Sequence, residues 1–267
     1  MEDPMSYETI DVTSFDGITT LTLNRPEKLN AWTYQMGAEL RQAIVSANDN
    51  PDVIGIVVTG AGRGFCAGAD IEAVFAAQQE QDPPYRAEAD TDDWVDLVRR
   101  SKPIIAAVNG AAIGVGLSQL MAMDRIIAST TAKFSFRFVK MGVSPELASS
   151  FYLSQRVGFG AASELMLTGK TITADEAARL RLVDACVEPQ SLIDTAIAAA
   201  RAMGENPLAA IAETKALLTA NLAADSLEAV QARENAALNR CYESAEHHEA
   251  IAAFMEKRAP DFRKARG

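Results

Sequence analysis

Histidine is almost absent from this chain: His247 and His248 are the only two, side by side near its end. Without a central histidine, the usual histidine-based nucleophile triads and two-histidine metal sites are not expected. Cysteine is scarce as well. Cys66, Cys186 and Cys241 are far apart and odd in number, so neither a disulfide framework nor a zinc site is suggested. A reducing compartment fits that usage. Positive charge is also in short supply: 25 lysines and arginines face 36 aspartates and glutamates, for a net charge of -11. Such a chain is a poor general binder of nucleic acid or anionic lipid. If a substrate carries phosphates, a few local cations must hold them. Uninterrupted apolar runs are missing too. The stretch from Pro103 to Met123 is apolar, but Asn109, Gly110, Gly114, Gly116, Ser118 and Gln119 break it. It reads as a buried strand, a turn and a buried helix rather than a membrane span. The opening "MEDPMSYETI" is acidic and polar, unlike a signal peptide, and the closing "KARG" matches no address signal. The expectation is a cytoplasmic protein with neither a nucleic-acid nor a membrane partner.

What the chain does have is apolar mass. Forty-eight per cent of its 267 residues are hydrophobic and 23 % are charged, enough for a sizeable core and against disorder. The segments "ETIDVT" and "GITTLTLN" predict a hairpin turning at Phe15, Asp16 and Gly17. Met36, Leu40, Ile44 and Val45 recur at helical spacing, predicting a helix over 33–48. "VIGIVVTG" and "PIIAAVNG" are solidly apolar, as buried strands are. "GVGLSQLMAM" reads as the start of a helix, and "DRIIAS" and "AKFSF" as two short strands. Strand, strand, helix recurs, without the strict alternation of a doubly wound sheet. From Pro189 onward nearly everything reads as helix, with a break at "GENPL". The polar, acidic stretch 78–94 contains two prolines and is expected to be mobile and to border a ligand entrance.

Two glycine loops share one feature. In "CAGADI" and "NGAAIGVGLSQ" the chain leaves a buried strand, passes small residues and enters a helix. Unpaired N–H groups gather at helix starts, and two of them converging on one point form an oxyanion hole. Tight strand-to-helix turns explain the same glycines, and the residues alone leave both readings open. No G-x-G-x-x-G stretch supports a dinucleotide site.

Here the chain resembles the enoyl-CoA hydratase/isomerase family, the crotonases. The likeness runs in order through "NRPEKLNAW", "GRGFCAGADI", "KPIIAAVNGAAIGVGLSQLMAMD", "LTGKTITADEAARLRLVD" and "AFMEKRAPDF". It implies an α/β fold: a spiral of ββα turns over residues 1–189, then a helical region over 190–267 that makes trimers, often a dimer of trimers. It implies a coenzyme A thioester as substrate, with no separate cofactor and no metal. It also implies an enolate whose oxygen two backbone N–H groups hold. Carried over by position, those donors are Ala69 and Val115. The substrate-contacting segments become Lys28, Leu29 and Ala31, with Arg25 nearby, and Ala67, Gly68, Ala69, Asp70 and Ile71. Gly114 flanks the second donor. Phe254 and Lys257 match residues that help hold the nucleotide end, often that of a neighbouring subunit.

Hydratases of this family use two glutamates. Their places fall here on Ser118 and Phe138, so both carboxylates are missing. Hydration needs an activated water at C3 and a proton at C2, and neither side chain supplies acid or base. One carboxylate does stand in a telling context: Glu146 in "SPELASS", a setting that resembles the peroxisomal Δ3,Δ2-enoyl-CoA isomerases. Moving a double bond needs a proton taken from C2 and returned to C4, which one carboxylate can do in turn. Held among Pro145, Leu147, Phe138 and Phe151, it is expected to be partly desolvated, with a raised pKa. The competing reading makes Ser144 an N-cap, Pro145 N1 and Glu146 a first-turn residue favoured by the helix dipole. Three functions follow: an enoyl-CoA isomerase, a hydratase using an unrecognised acid (Asp70 or Glu72 first), or a non-catalytic acyl-CoA binder. Thr173 and Glu176 read as a capping box, Asp124 as a partner of buried backbone groups, and Asp70 as a loop brace or cap.

Overall fold

The computed structural model describes residues 7–74 and 94–266; the stretch 78–94, apart from Trp94, lies outside them. Ten strands are described: β1 (Ile10–Phe15), β2 (Ile18–Leu23), β3 (Gly55–Gly60), β4 (Gly64–Cys66), β5 (Ile104–Val108), β6 (Ala111–Ile113), β7 (Arg125–Ser129), β8 (Lys133–Ser135), β9 (Ile172–Thr173) and β10 (Ala185–Val187). They divide between two sheets, ordered β1-β2-β3-β5-β7-β10 and β4-β6-β8-β9. From β3 to β8 the chain lays strands alternately on the larger and the smaller sheet. Each turn of the spiral therefore adds one strand to each layer. The expected hairpin forms: β1 and β2 pair antiparallel from Phe15↔Ile18 to Ile10↔Leu23. Asp16 (φ 48°) and Gly17 (φ 80°) make its two-residue turn, a conformation that glycine adopts without strain. From β2 to β10 every pair in the larger sheet is parallel.

The apolar strands are buried on both faces because each face has its own core. Ile56, Val58, Ile104, Ala106 and Ile126 point into the main core, which they share with Met36, Leu40 and Ile44 of α1 (Tyr34–Asp49). The alternate residues Val57, Ile105, Ala107 and Ile127 meet Leu192, Ala196 and Ala200 of α7 (Leu192–Gly204). The period-2 alternation thus serves two layers at once. Thr33 caps α1, its hydroxyl accepting from the Met36 N–H at 3.1 Å. Val45, expected on the apolar face, is 45 % exposed.

Between these lie α2 (Trp94–Arg100), α3 (Val115–Ser118), α4 (Ser149–Val157), α5 (Phe159–Thr168) and α6 (Ala174–Arg179). The expected helix at "GVGLSQLMAM" is a single turn. Beyond Ser118 the chain tightens, the Leu120 and Met121 N–H groups donating three residues back, to Leu117 and Ser118. Leu120 to Met123 are all buried there, so the core consumes what would have been a helix.

After α7 come α8 (Leu208–Asn221), α9 (Leu227–Tyr242), α10 (Ala245–Glu256) and α11 (Phe262–Arg266). Two buried charges tie this extension down. Lys215, 5 % exposed, donates to the Ser101 carbonyl at 2.8 Å and pairs with Asp124 at 2.7 Å. Asp124 also accepts from the Ile104 N–H at 2.9 Å, as the sequence reading had it. Glu246 accepts from the Leu208 and Ala209 N–H groups at 3.0 and 2.9 Å, capping α8 from another helix. No helix among the described residues is long and apolar enough to cross a membrane.

Candidate active site

Strands β4, β6 and β8 are neighbours and parallel, with Gly64↔Ala111 and Ile113↔Ser135 in register. Parallel strands send their following loops out at the same edge. Those loops are 67–71, 113–118 and 136–148. They carry Ala69, Val115, Ser118, Phe138 and Glu146, which the sequence reading had singled out separately.

The first loop is built on a buried asparagine. Asn30 is fully buried, with a left-handed backbone (φ 56°) that asparagine tolerates. Its amide donates to the Ala61 and Gly64 carbonyls, each at 2.9 Å, and its oxygen accepts from the Arg25 N–H at 2.8 Å. This pins residues 25–31 against the approach to β4. The two segments then run side by side. Ala67 N–H donates to Leu29 at 3.1 Å, Trp32 N–H to Gly68 at 2.8 Å, and Asp70 N–H to Trp32 at 2.8 Å. Lys28, Leu29 and Ala31 are thereby brought beside Ala67, Gly68, Ala69 and Asp70, with Ile71 half exposed just beyond. Trp32 bonds the residues on either side of Ala69. By the alternation of an extended chain, the Ala69 N–H faces the other way. It donates to nothing among the described residues. Gly68 (φ 106°) sits so close that a β carbon there would be 3.3 Å from the Ile113 carbonyl oxygen.

The second loop turns at Gly114, whose φ of 54° and ψ of -123° suit glycine. Its N–H donates to the Ser135 carbonyl at 2.9 Å. The next N–H, that of Val115, has no acceptor among the described residues. Gly116 then packs so tightly on Cys66 that any β carbon would overlap the Cys66 carbonyl oxygen. Two unpaired N–H groups thus lie on adjacent loops at one edge, held by contacts that only glycine permits. Cys66 lies buried behind both loops, and burial pushes its thiol up to about 11, so it stays protonated and is no nucleophile.

The carboxylates at this edge are not alike. Asp70 pairs with Arg25 at 2.8 Å and accepts from the Ala73 N–H at 3.4 Å. The Arg25 guanidinium holds its carboxyl below the usual range, as a brace and cap would have it. Arg25 gives its other terminal nitrogen to the Ala31 carbonyl at 2.6 Å. Glu72 lies at the surface, 3.5 Å from Lys28. Glu146 differs from both. No hydrogen bond or ion pair engages its carboxylate among the described residues, and loss of surrounding water pushes its pKa up with nothing to offset it. The residue is nonetheless partly open to solvent.

The first-turn reading of Glu146 needs correction. Helix α4 begins at Ser149, not at Ser144. Leu147 (φ 54°) and Ala148 (φ 50°) are both left-handed, which breaks the helix that Ser144 and Pro145 signal. Two such residues in succession store strain, and strain of this kind gathers at functional sites. The helix dipole therefore gives no reason for the carboxylate.

Ser118 and Phe138, at the places of the missing glutamates, are 1 % and 9 % exposed. Phe254 is 79 % exposed on α10, and Lys257 ends that helix in a left-handed conformation (φ 55°). Both belong to the helical extension rather than to the three loops. Elsewhere, a concavity of about 400 Å³ lined by Pro51, Asp52, Asp261, Arg263 and Lys264 mixes both signs of charge, and Asp52 already pairs with Arg263. The sequence reading gave Asn30 no role. Its local signal is an asparagine in the turn that follows Pro26, a residue type that tolerates a left-handed backbone.

Residues 13–265 match the model of a family described as enoyl-CoA hydratase/isomerase. The chain belongs to the enoyl-CoA hydratase/isomerase family. It is 36 % identical to a Mycobacterium bovis protein named as a probable enoyl-CoA hydratase, over 97 % of this chain and 99 % of that one. It is 32 % identical to the 1,2-epoxyphenylacetyl-CoA isomerase of Escherichia coli, over 92 % and 95 %. Among solved structures, the enoyl-CoA hydratase of Bacillus anthracis superposes with a TM-score of 0.86 at 27 % identity, covering 96 % of this chain and 99 % of that one. The fold is crotonase-like, with two sheets and C-terminal helices, as the resemblance implied.

Proposed function

We propose that this family member moves the double bond of a 3-enoyl-CoA thioester to the 2-position, with Glu146 as the single proton carrier. The carboxylate takes a proton from C2. The electron pair spreads over a dienolate, and the charge on the thioester oxygen is met by the Ala69 and Val115 N–H groups. The protonated Glu146 then returns the proton to C4, leaving the C2=C3 bond. The observation that carries this reading is an unpaired, desolvated carboxylate on the same edge as two unpaired N–H groups. A base with a raised pKa is stronger, and it needs no partner to be useful. The nucleotide end of the thioester is read onto Lys28, Leu29, Ala31 and residues 67–71.

A hydratase reading draws on the names of relatives such as the M. bovis protein. Against it stand Ser118 and Phe138, which bring no acid or base to the site. A panel of 2-enoyl- and 3-enoyl-CoA thioesters separates the two readings when water addition and double-bond shift are followed independently. Rapid hydration with no shift would reject the isomerase. The apolar side chains exposed on the extension, among them Leu218, Leu238, Ile251, Phe254 and Met255, support assembly into a trimer or a dimer of trimers. In that assembly Phe254 and Lys257 reach a neighbour's nucleotide.

A further inference from the structure

Lys102 takes no part in the proton transfer above. It stands just before β5, at the C-terminal end of α1, where its side-chain nitrogen donates to the Ala47 carbonyl at 3.1 Å and to the Asn50 carbonyl at 2.6 Å. Helix ends leave carbonyls unpaired, and a lysine there is ordinary. Its surroundings are not ordinary for a cation.

The extension brings a second positive charge to the same place. Arg266 of α11 lies close enough to oppose the charge on Lys102, and its Nε and Nη1 atoms are sealed with no hydrogen-bond partner among the described residues. The acid beside Arg266 is Glu246, at 3.5 Å, and that carboxylate already accepts from the Leu208 and Ala209 N–H groups. Lys215 of α8 meets the Lys102 backbone carbonyl at 3.4 Å and pairs with Asp124. Asp49 on α1 favours the Lys102 charge, but burial and Arg266 outweigh it and bring the pKa down to about 8. At pH 7 about one molecule in ten then carries a neutral amine here, against roughly one in 3,000 for a lysine at its ordinary value. A desolvated lysine beside another cation is an activated nucleophile.

The geometry leaves that amine usable. A neutral amine has two N–H bonds and one lone pair. The Ala47 and Asn50 carbonyls take the two hydrogens, so the lone pair is free. The residue is half-buried, and its bond to Asn50 lies at the surface. Pro51 and Asp52, which follow Asn50, line the concavity of about 400 Å³ described above, which gives a reagent room close by.

We propose that Lys102 is a modification site, acylated on its side-chain nitrogen by acyl-CoA thioesters without a second enzyme. The lone pair attacks the thioester carbonyl. The C–N bond forms, the C–S bond breaks, and the amine proton leaves with the sulfur as the coenzyme A thiol. The product carries no charge, which ends the repulsion with Arg266 and leaves one N–H for two carbonyls. The inference goes beyond the isomerase reading, because the donor comes from solution and Glu146 takes no part.

The test incubates the intact protein with butyryl-CoA from pH 6 to pH 10 and follows each lysine by peptide mass spectrometry. At pH 7 Lys102 should acylate at least about 10-fold faster than the exposed Lys133 and Lys140, the gain staying below the ratio of neutral amines because an amine of lower pKa is the weaker nucleophile. Its rate should level off above about pH 8, while theirs go on rising. Arg266→Gln removes the like charge, so it should shift that levelling upward and slow Lys102 at pH 7 by roughly 2- to 10-fold. The wild-type profile alone decides if that variant does not fold. A Lys102 rate no higher than those of Lys133 and Lys140, one that rises in parallel with theirs to pH 10, or a profile that a folded Arg266→Gln leaves in place would overturn the proposal.

Discussion

Gly116→Ala perturbs the proposed oxyanion hole without touching any reacting side chain. A β carbon at residue 116 would overlap the Cys66 carbonyl oxygen and come within 2.7 Å of the Cys66 β carbon. Ordinary carbon contacts begin near 3.5 Å, so one loop must retreat by roughly 1 Å. Both obstacles belong to the chain at Cys66 itself, so no flexible side chain can swing aside. Val115 is the next residue and moves with the loop. An oxyanion donor works only at about 2.7–3.1 Å, and losing one donor costs on the order of 10²–10³ in kcat. The fold should survive, because overpacking of this kind costs about 1–3 kcal/mol. The assay is therefore double: thermal melting to show a folded variant, and kcat for double-bond shift on a 3-enoyl-CoA. We expect melting within several degrees of wild type and kcat down at least about 10²-fold. A folded Gly116→Ala with wild-type kcat would refute the assignment of Val115 as an oxyanion donor.

Glu146 should make stability and activity run in opposite directions. Its pKa is raised above 4.5, so the folded state holds the proton more tightly and stability falls as pH rises from about 4.5 through the raised value. Glu146→Gln escapes that loss: it should melt higher than wild type at pH 8, and the gap should close at pH 4. A gap independent of pH would contradict the desolvated carboxylate. Asn30→Ala leaves the Ala61 carbonyl without its side-chain donor, at about 1–3 kcal/mol, while the Gly64 carbonyl keeps Asn109 at 3.2 Å, and it should weaken acyl-CoA binding along with stability. Denaturant melts and acyl-CoA titration check both, and unchanged affinity would detach the loop from the substrate. Sedimentation at micromolar concentration should give a trimer or hexamer; a stable monomer would remove the cross-subunit roles of Phe254 and Lys257.

Much of the fold can be read locally. The hairpin at Asp16–Gly17, the capped helix after Thr33 and the apolar strands β3 and β5 follow from turn chemistry and period. Even the two glycine loops were visible as strand-to-helix turns. What could not be read is which strand ends share an edge, because that depends on β4, β6 and β8 joining a second sheet with only three residues each. Local signals also misled where tertiary contacts overrode them. Ser144 and Pro145 have the chemistry of a helix start, but Leu147 and Ala148 turn left-handed and delay the helix to Ser149. "GVGLSQLMAM" has helical composition, but burial of Leu120–Met123 stops it after one turn. Lys215 and Glu246 look like ordinary helix-surface charges in sequence. Only the fold shows both buried, Lys215 joining the extension to the core and Glu246 capping α8 within the extension.

The most direct test is the rate of double-bond shift by Glu146→Gln, set beside its affinity for a saturated acyl-CoA. Glutamine keeps the size and hydrogen bonding of the side chain and removes only the base. If Glu146 carries the proton, conversion of 3-enoyl- to 2-enoyl-CoA should fall by roughly 10²–10⁴, the usual share of a general base. The dissociation constant should barely move, because the backbone donors and the nucleotide contacts remain. Full isomerase activity in Glu146→Gln, with rapid hydration of 2-enoyl-CoA by the wild type, would contradict the account and leave Glu146 without a catalytic role.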